Sequence, residues 1–198
     1  MFRRVLRDLA VLATVGIVAV GVAATPAAAA PAALKGGRTT VTTAPGIATT
    51  LLRNGILPVV TRPGRVGLRF DHGLRLTATF PVTGGAVDLE PLGGDVRHRG
   101  GIKFVNLRNG KALEVGNFII DLDAAQLTGA VNRGATRVPV FDLDLSAASI
   151  EVRGGTVVVR NVGLDLTDAA AGALNSTLRT SVFAGGLRFG SAGSDIRI

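Results

Sequence analysis

The two histidines are the residues of this 198-residue chain that are best suited to ligating a metal. His98 lies between Arg97 and Arg99 in a segment of alternating polarity. It shares a strand face with Val96, so its side chain is expected to point inward. His72 falls at the expected tip of a hairpin. An inward histidine more often bonds to core backbone groups than to a ligand, and both roles stay open for His98.

Two pairs of carboxylates have a spacing that suits a metal or acid/base chemistry. Asp121 with Asp123, and Asp142 with Asp144, each share one face of an expected strand. Such pairs serve in calcium sites and in general acid/base catalysis. Neither pair has the glycines and further oxygen ligands of a calcium loop. The solvated outer face of a sheet is the favoured interpretation, and no metal site is predicted.

No catalytic constellation is evident. The serines lie in no nucleophile elbow of the G-x-S-x-G type, and no base adjoins them. The glycine-rich stretch 185–193 lacks the Lys-Ser/Thr of a phosphate-binding loop. The chain has no cysteine, which excludes thiolate chemistry and disulfides. The sequence therefore predicts a protein that is not an enzyme and has no catalytic residues.

The strongest structural pattern is a repeated strand. Residues 115–122 (VGNFIIDL) are echoed by residues 159–166 (VRNVGLDL), and residues 138–145 (VPVFDLDL) lie between the copies. These segments alternate apolar and polar residues or run apolar over strand length, which is typical of antiparallel strands with one buried face. Strands at short, regular spacing suggest a sandwich or a barrel. We predict a single all-β sandwich with two short helices.

The helices are expected where small residues follow a capping threonine. Thr43 is predicted to cap a helix over residues 45–53, and Thr167 to cap a second one over residues 169–178. Many of the 27 glycines lie between short β-type segments and suit turns.

Strand pairings follow from the spacing of the turn residues. Residues 95–99 and 102–107 flank two glycines and are predicted to form a hairpin. Residues 138–145 are expected to pair with residues 148–152. The C-terminal tail, residues 187–189 and 195–198, is predicted to form edge strand.

The N-terminus predicts export. Residues 1–7 carry three arginines, residues 9–24 are apolar, and small residues follow. The apolar run falls short of the roughly 20 residues needed to span a bilayer, so cleavage is favoured over a retained anchor. The predicted organisation is a secretory signal helix over residues 1–30, a flexible lead-in over residues 31–37, and one domain over residues 38–198. The mature protein is expected to be extracellular or associated with the cell wall.

The charge balance limits the classes of binding partner that are expected. Lysine and arginine number 22 against 14 acidic residues, giving a net charge of +8. The arginines are scattered singly and are not interleaved with aromatic residues, so nucleic acid is not expected. Weak attraction to anionic envelope polymers or lipid headgroups is one alternative, and a merely solvated basic surface is the other.

Several sequence features follow one another in a distinctive order from Phe80 onward. They are residues 80–85 (FPVTGG), the hairpin 94–104, the strand 113–122, residues 141–145 (FDLDL), the stretch 157–166, a small-residue helix with Leu174-Asn175, and residues 183–186 (FAGG). This order resembles the HtaA-type domain of secreted haem-uptake proteins. The resemblance implies an immunoglobulin-like antiparallel β-sandwich. It also implies an iron-ligating tyrosine in the family, with a histidine nearby, and this chain has no tyrosine.

The sequence leaves two candidate functions for the protein. The first is a secreted, non-catalytic binding or interaction domain without a cofactor, whose partner is an envelope component, a hydrophobic ligand or another secreted protein bound by strand-edge pairing. The second, implied by the resemblance, is binding or transfer of haem or porphyrin. Ferric haem needs an axial donor, and the mature chain offers only His98 and His72, with His98 replacing the missing tyrosine.

Overall fold

The computed structural model describes residues 30–71 and 73–198, which contain thirteen strands and two helices. The predicted signal segment falls almost wholly outside these residues, and so does His72. The strands are β1 (Ala32–Ala33), β2 (Gly36–Thr43), β3 (Ile56–Thr61), β4 (Arg65–Arg69), β5 (Arg75–Leu89), β6 (Leu92–His98), β7 (Gly101–Asn106), β8 (Ala112–Asp121), β9 (Gln126–Val131), β10 (Arg137–Asp144), β11 (Ser149–Arg153), β12 (Thr156–Leu166) and β13 (Arg188–Arg197). The helices are α1 (Ile47–Arg53) and α2 (Asp168–Leu178).

Eight of the strands close into an antiparallel barrel. Their order is β5-β2-β13-β12-β10-β9-β8-β6, and β6 returns to β5. The all-β prediction is confirmed, whereas the immunoglobulin-like sandwich is corrected to this barrel. The difference lies in β6, which pairs with both β5 and β8 and so joins two strands that would face each other across a sandwich.

The repeated segments occupy equivalent places in the barrel. On one side, β8 pairs first with β7 and then with β6, just as β12 pairs first with β11 and then with β10. The register shifts midway along both strands. Asn117 and Asn161 lie at these bulges, with φ values of 48° and 58°. The sequence repeat therefore marks two strands that each exchange one partner for another at a bulge.

Three predicted pairings are wrong. Strands β6 and β7 do not form a hairpin, because both pair with β8. A Cβ on Gly101 would lie 2.6 Å from the carbonyl oxygen of Val115, so this glycine permits close approach to β8. Strand β11 pairs with β12 and not with β10, through a turn in which Gly154 and Gly155 both have positive φ. The C-terminal residues form β13, which lies between β12 and β2 and is no edge.

The second helix is confirmed and the first begins later than predicted. Thr167 caps α2 by accepting a hydrogen bond from the Ala170 amide at 3.1 Å. Helix α1 starts after Gly46, and Thr43 instead ends β2, where its hydroxyl accepts a hydrogen bond from the Leu76 amide. Neither helix, among the residues described, is long and apolar enough to cross a bilayer.

The core comprises two clusters. The larger includes the phenylalanines of the barrel and the buried faces of both helices. The smaller consists of Leu34, Val82, Val87, Val96 and Ile196. Leu34 is buried and β1 pairs with β5, so these residues of the expected lead-in pack against the barrel.

The chain direction gives the barrel two distinct ends. Helices α1 and α2, the turn after β7 and the tip of the β4–β5 hairpin lie at one end, here named the helical end. The turns that follow β5, β8 and β10 lie at the other, here named the mouth end.

Candidate ligand-binding site

The barrel encloses a cavity of about 70 Å³ in its lumen. All eight barrel strands contribute to its wall, which is almost wholly aliphatic. One residue from each strand suffices to describe it: Val41, Val87, Val96, Ile120, Leu127, Leu143, Val162 and Ala192. Alternation along each strand places these side chains inside the barrel.

The two bulges keep this alternation pointed inward. In β12, Val157 and Val159 face the lumen before the bulge, and Val162 and Leu164 face it afterwards. The extra residue at Asn161 moves the inward positions from odd to even numbers, since a strand otherwise alternates strictly. In β12 the bulge thus lets both halves of the strand line one cavity, while in β8 Ile120 reaches this cavity from the half that follows the bulge.

Aliphatic side chains also surround the cavity at the mouth end. Leu89 and Leu92 adjoin the turn after β5, while Leu122 and Leu145 follow β8 and β10. Ile150 of β11 lines the cavity while remaining 40% exposed. Ile150 therefore marks where the lumen meets solvent.

A buried polar trio interrupts the apolar lumen. The Thr39 hydroxyl lies 2.8 Å from Nε2 of His98 and 2.8 Å from the Ser194 hydroxyl. Thr39 and Ser194 line the cavity, and all three side chains are buried. Nδ1 of His98 is buried without a hydrogen-bond partner of good geometry among the described residues.

The His98 ring is neutral at neutral pH. Burial lowers the pKa of His98 from 6.5 to about 4, and the backbone groups of Phe118 and Val96 offset part of that lowering. A neutral imidazole has one N–H donor and one acceptor nitrogen. The trio thus supplies hydrogen-bonding groups without a net charge, beside a cavity that otherwise attracts hydrocarbon.

The carboxylate pairs lie on the outer surface. Asp142 accepts a hydrogen bond from Gln126, and Asp144 pairs with Arg188 at 2.7 Å. Hydrogen bonds from Ser146 and then from Arg188 hold the pKa of Asp144 below its usual range. Asp121 and Asp123 accept backbone N–H groups in turns. No group of three or more metal-binding side chains occurs among the described residues.

His98 lies inside the barrel, as its alternation with Val96 predicted, whereas Thr39 and Ser194 were not recognised from the sequence. The segment 38–43 appears largely polar because four of its six residues are threonines. Its buried positions nevertheless alternate, since Thr39 and Thr43 are buried while Thr40 and Thr42 are only half-buried. Residues 38–42 were predicted as a strand from their alternation and β-branching, and the same alternation was the signal that Thr39 points inward.

A closed antiparallel barrel with helices at one end defines this protein as one of the HtaA-type fold. Its structure is similar to the C-terminal domain of HtaA from Corynebacterium glutamicum, with a TM-score of 0.54 and 14% sequence identity over 82% of this chain and 98% of that one. The resemblance to an HtaA-type domain predicted from the sequence is thereby confirmed at the level of the fold.

A domain-swapped dimer of a histidine-to-alanine variant of the same domain aligns with a TM-score of 0.48 and 16% identity, over 77% of this chain and 93% of that one. No protein-family model and no curated protein matches the sequence.

Proposed function

We propose that this protein is a secreted, non-catalytic binding domain of the cell envelope that takes the end of an apolar chain into its lumen. The observation that carries the proposal is the aliphatic cavity formed by all eight barrel strands. A concave apolar site with a few convergent polar groups is the usual form of a small-molecule site. The neutral trio of Thr39, His98 and Ser194 supplies those polar groups.

The volume of the cavity sets the size of the ligand. At about 70 Å³ it is roughly half of an apolar protein cavity of about 150 Å³ that holds benzene. It therefore holds a few carbons of an alkyl chain, and the remainder of the ligand leaves past Ile150. Each methylene transferred from water contributes about 0.8 kcal/mol to the free energy of binding. Affinity is therefore expected to rise with chain length until the lumen is filled, and to stay constant for longer chains.

Haem does not fit the lumen in this conformation. Pockets for ligands of drug size occupy about 300 Å³ or more, and the lumen is several times smaller. Nε2 of His98 is held by the Thr39 hydroxyl at 2.8 Å, and the free Nδ1 is itself buried. Axial ligation by His98 would therefore require both the trio and the barrel wall to open. The haem function implied by the resemblance stays a prediction, with this geometry against it.

Binding in the lumen is tested by adding a fluorescent long-chain fatty acid to a protein that consists of residues 31–198. Every strand and helix of the part of the chain that the structure describes lies within these residues, as do both core clusters, so they are tested together as one folding unit. Ala192→Leu fills the cavity from inside β13 and is expected to weaken binding at least about ten-fold. The control is Ser191→Leu, which adds similar bulk to the outward face of the same strand.

Equal binding by the parent and by Ala192→Leu would contradict the proposal. A haem titration followed by absorbance, with His98→Ala beside the parent, tests the alternative in the same preparation. We expect no saturable Soret shift that depends on His98. A saturable shift that is lost in His98→Ala would instead establish haem binding through this residue.

A further inference from the structure

The helical end exposes a group of large apolar side chains. Phe70 is 78% exposed, Leu107 is 64% exposed and Leu68 is 59% exposed, and Leu52 and Leu57 are exposed beside them. These residues come from separate segments that lie at the same end of the barrel. The Leu107 amide donates to the carbonyl of Gly55 at 2.8 Å, and Phe70 follows β4 at the hairpin tip.

Exposed cations surround these apolar side chains. They are Arg53, Arg69, Arg108, Lys111 and Arg179, and none makes an ion pair with a described residue. The Arg108 guanidinium donates to the carbonyl of Arg53, which brings two of the five together. The acidic Asp71 of the same hairpin is offset by Arg75 at 3.4 Å. Asp168 at the start of α2 adds one further carboxylate, which the five cations outnumber, so the end is cationic as well as apolar.

The mouth end carries the opposite charge in two of its turns. Asp88 and Glu90 adjoin the turn after β5, while Asp121 and Asp123 adjoin the turn after β8. Lys35, Arg38 and Arg197 also lie at the mouth end, so that end carries both signs of charge, whereas the helical end carries a surplus of cations. This difference favours an orientation near an anionic surface with the helical end toward it.

We propose that the helical end docks on a lipid bilayer that contains anionic headgroups. Phe70, Leu68 and Leu107 enter the interfacial layer, and the five cations lie among the phosphates. Charge complementarity selects an anionic partner, and the protruding phenylalanine selects a partner with an apolar interior. The lumen mouth then faces away from the bilayer. This inference does not rest on the proposed function of the lumen.

The test is co-sedimentation of residues 31–198 with vesicles of phosphatidylcholine alone or with about one-third phosphatidylglycerol. Binding is expected only to the anionic vesicles, and to weaken as salt rises from about 0.1 to 0.5 M. Arg69→Glu/Lys111→Glu is expected to weaken binding at least about 30-fold, since each lost cation costs about a factor of five at a membrane surface and the two new carboxylates are repelled by the anionic headgroups. Phe70→Ser is expected to weaken it about ten-fold.

Matched controls change the same residue types at the mouth end. Lys35→Glu/Arg38→Glu makes an equal change of charge, and Val152→Ser removes an exposed apolar side chain of β11. Both controls should bind anionic vesicles like the parent. Equal losses at the two ends, or equal binding to neutral vesicles, would overturn the proposal. If the charge variant lost binding while Phe70→Ser kept it, the partner would be an anionic polymer and the lipid assignment would fail.

Discussion

The His98 side chain is held in the barrel by the hydroxyl of Thr39 and by apolar neighbours. Thr39 contacts both Nε2 of His98 and the hydroxyl of Ser194, so one threonine satisfies two buried groups. A buried polar atom without a partner costs free energy, and Nδ1 is such an atom. The neutral ring tolerates this arrangement, but the protonated ring does not, because burial penalises its charge.

This difference predicts an acid-sensitive stability. The unfolded chain binds a proton on His98 near pH 6.5, whereas the native state does so only near pH 4. As pH falls through this window the unfolded state gains protons that the native state lacks, so stability is lost. The expected loss is about 3 kcal/mol between pH 7 and pH 4. Urea unfolding at several pH values measures it.

The variant His98→Gln isolates this contribution. Glutamine retains a hydrogen-bonding group near Thr39 but does not titrate. Carboxylates titrate equally in both proteins, and the buried polar residues described include none: they are Thr39, Thr43, His98, Asn106, Thr167 and Ser194. The pH dependence of the variant should therefore be shallower by about 3 kcal/mol over the window. Parallel curves for the two proteins would refute the assignment.

Among the strands, the bulges of β8 and β12 determine which residues reach the lumen. Asn117 and Asn161 both adopt the left-handed conformation, and both side chains are exposed. The backbone at Asn117 is fixed on both sides, since its amide donates to Gly100 and its carbonyl accepts from Arg137. The conformation is therefore a requirement of the fold, and asparagine tolerates it better than most residues.

Substitutions at these two positions should separate backbone conformation from side-chain contacts. Asn117→Val and Asn161→Val are each expected to lower the free energy of unfolding by about 1–2 kcal/mol, because a β-branched residue is strained at positive φ. The matched changes Asn117→Gly and Asn161→Gly should alter it by less than about 1 kcal/mol. Denaturant unfolding of the four variants provides the measurement. Equal losses for valine and glycine would show that the asparagine side chains matter instead.

The sequence predicted strands better than it predicted their partners. The capping threonine located α2 to within one residue, and the repeat identified β8 and β12 as related. The bulges were visible as a shift of apolar positions from Leu113 and Val115 to Phe118 and Ile120. Pairing was mistaken where glycines were read as turns, because Gly101 and Gly116 instead let neighbouring backbones approach. Local residue types do not distinguish these two uses of glycine.

For the whole molecule, closure of the sheet could not be predicted from the residues. A sandwich and a barrel both require strands with one apolar face, so alternation is the same in either. The distinguishing element is β6, whose short segment Asp95–Val96–Arg97 pairs with β8 while the same residues pair with β5. The lumen, and with it the candidate site, exists only because of that double pairing. The site was therefore beyond sequence analysis, although His98 within it was identified.

Closure also predicts where the molecule opens first. Strand β13 has partners on both sides, whereas β4 pairs only with β5 and β11 only with β12. All five residues of β11 are exposed, and β4 carries the exposed Val66 and Leu68. Amide hydrogens of β4 and β11 are therefore expected to exchange at least ~10²-fold faster than those of β13. Hydrogen exchange followed by mass spectrometry measures the segments separately, and equal protection of β11 and β13 would contradict this view.

The same experiment separates the two proposed surfaces, because each lies on a different weakly protected strand. Ile150 of β11 borders the lumen, and Phe70 follows β4 at the helical end. A fatty acid in the lumen should slow exchange in β11 and leave β4 unchanged. Anionic vesicles should slow exchange in β4 and in the turn after β7 while β11 keeps its rate. Protection of both strands by either ligand would mean that the two ends of the barrel do not act independently.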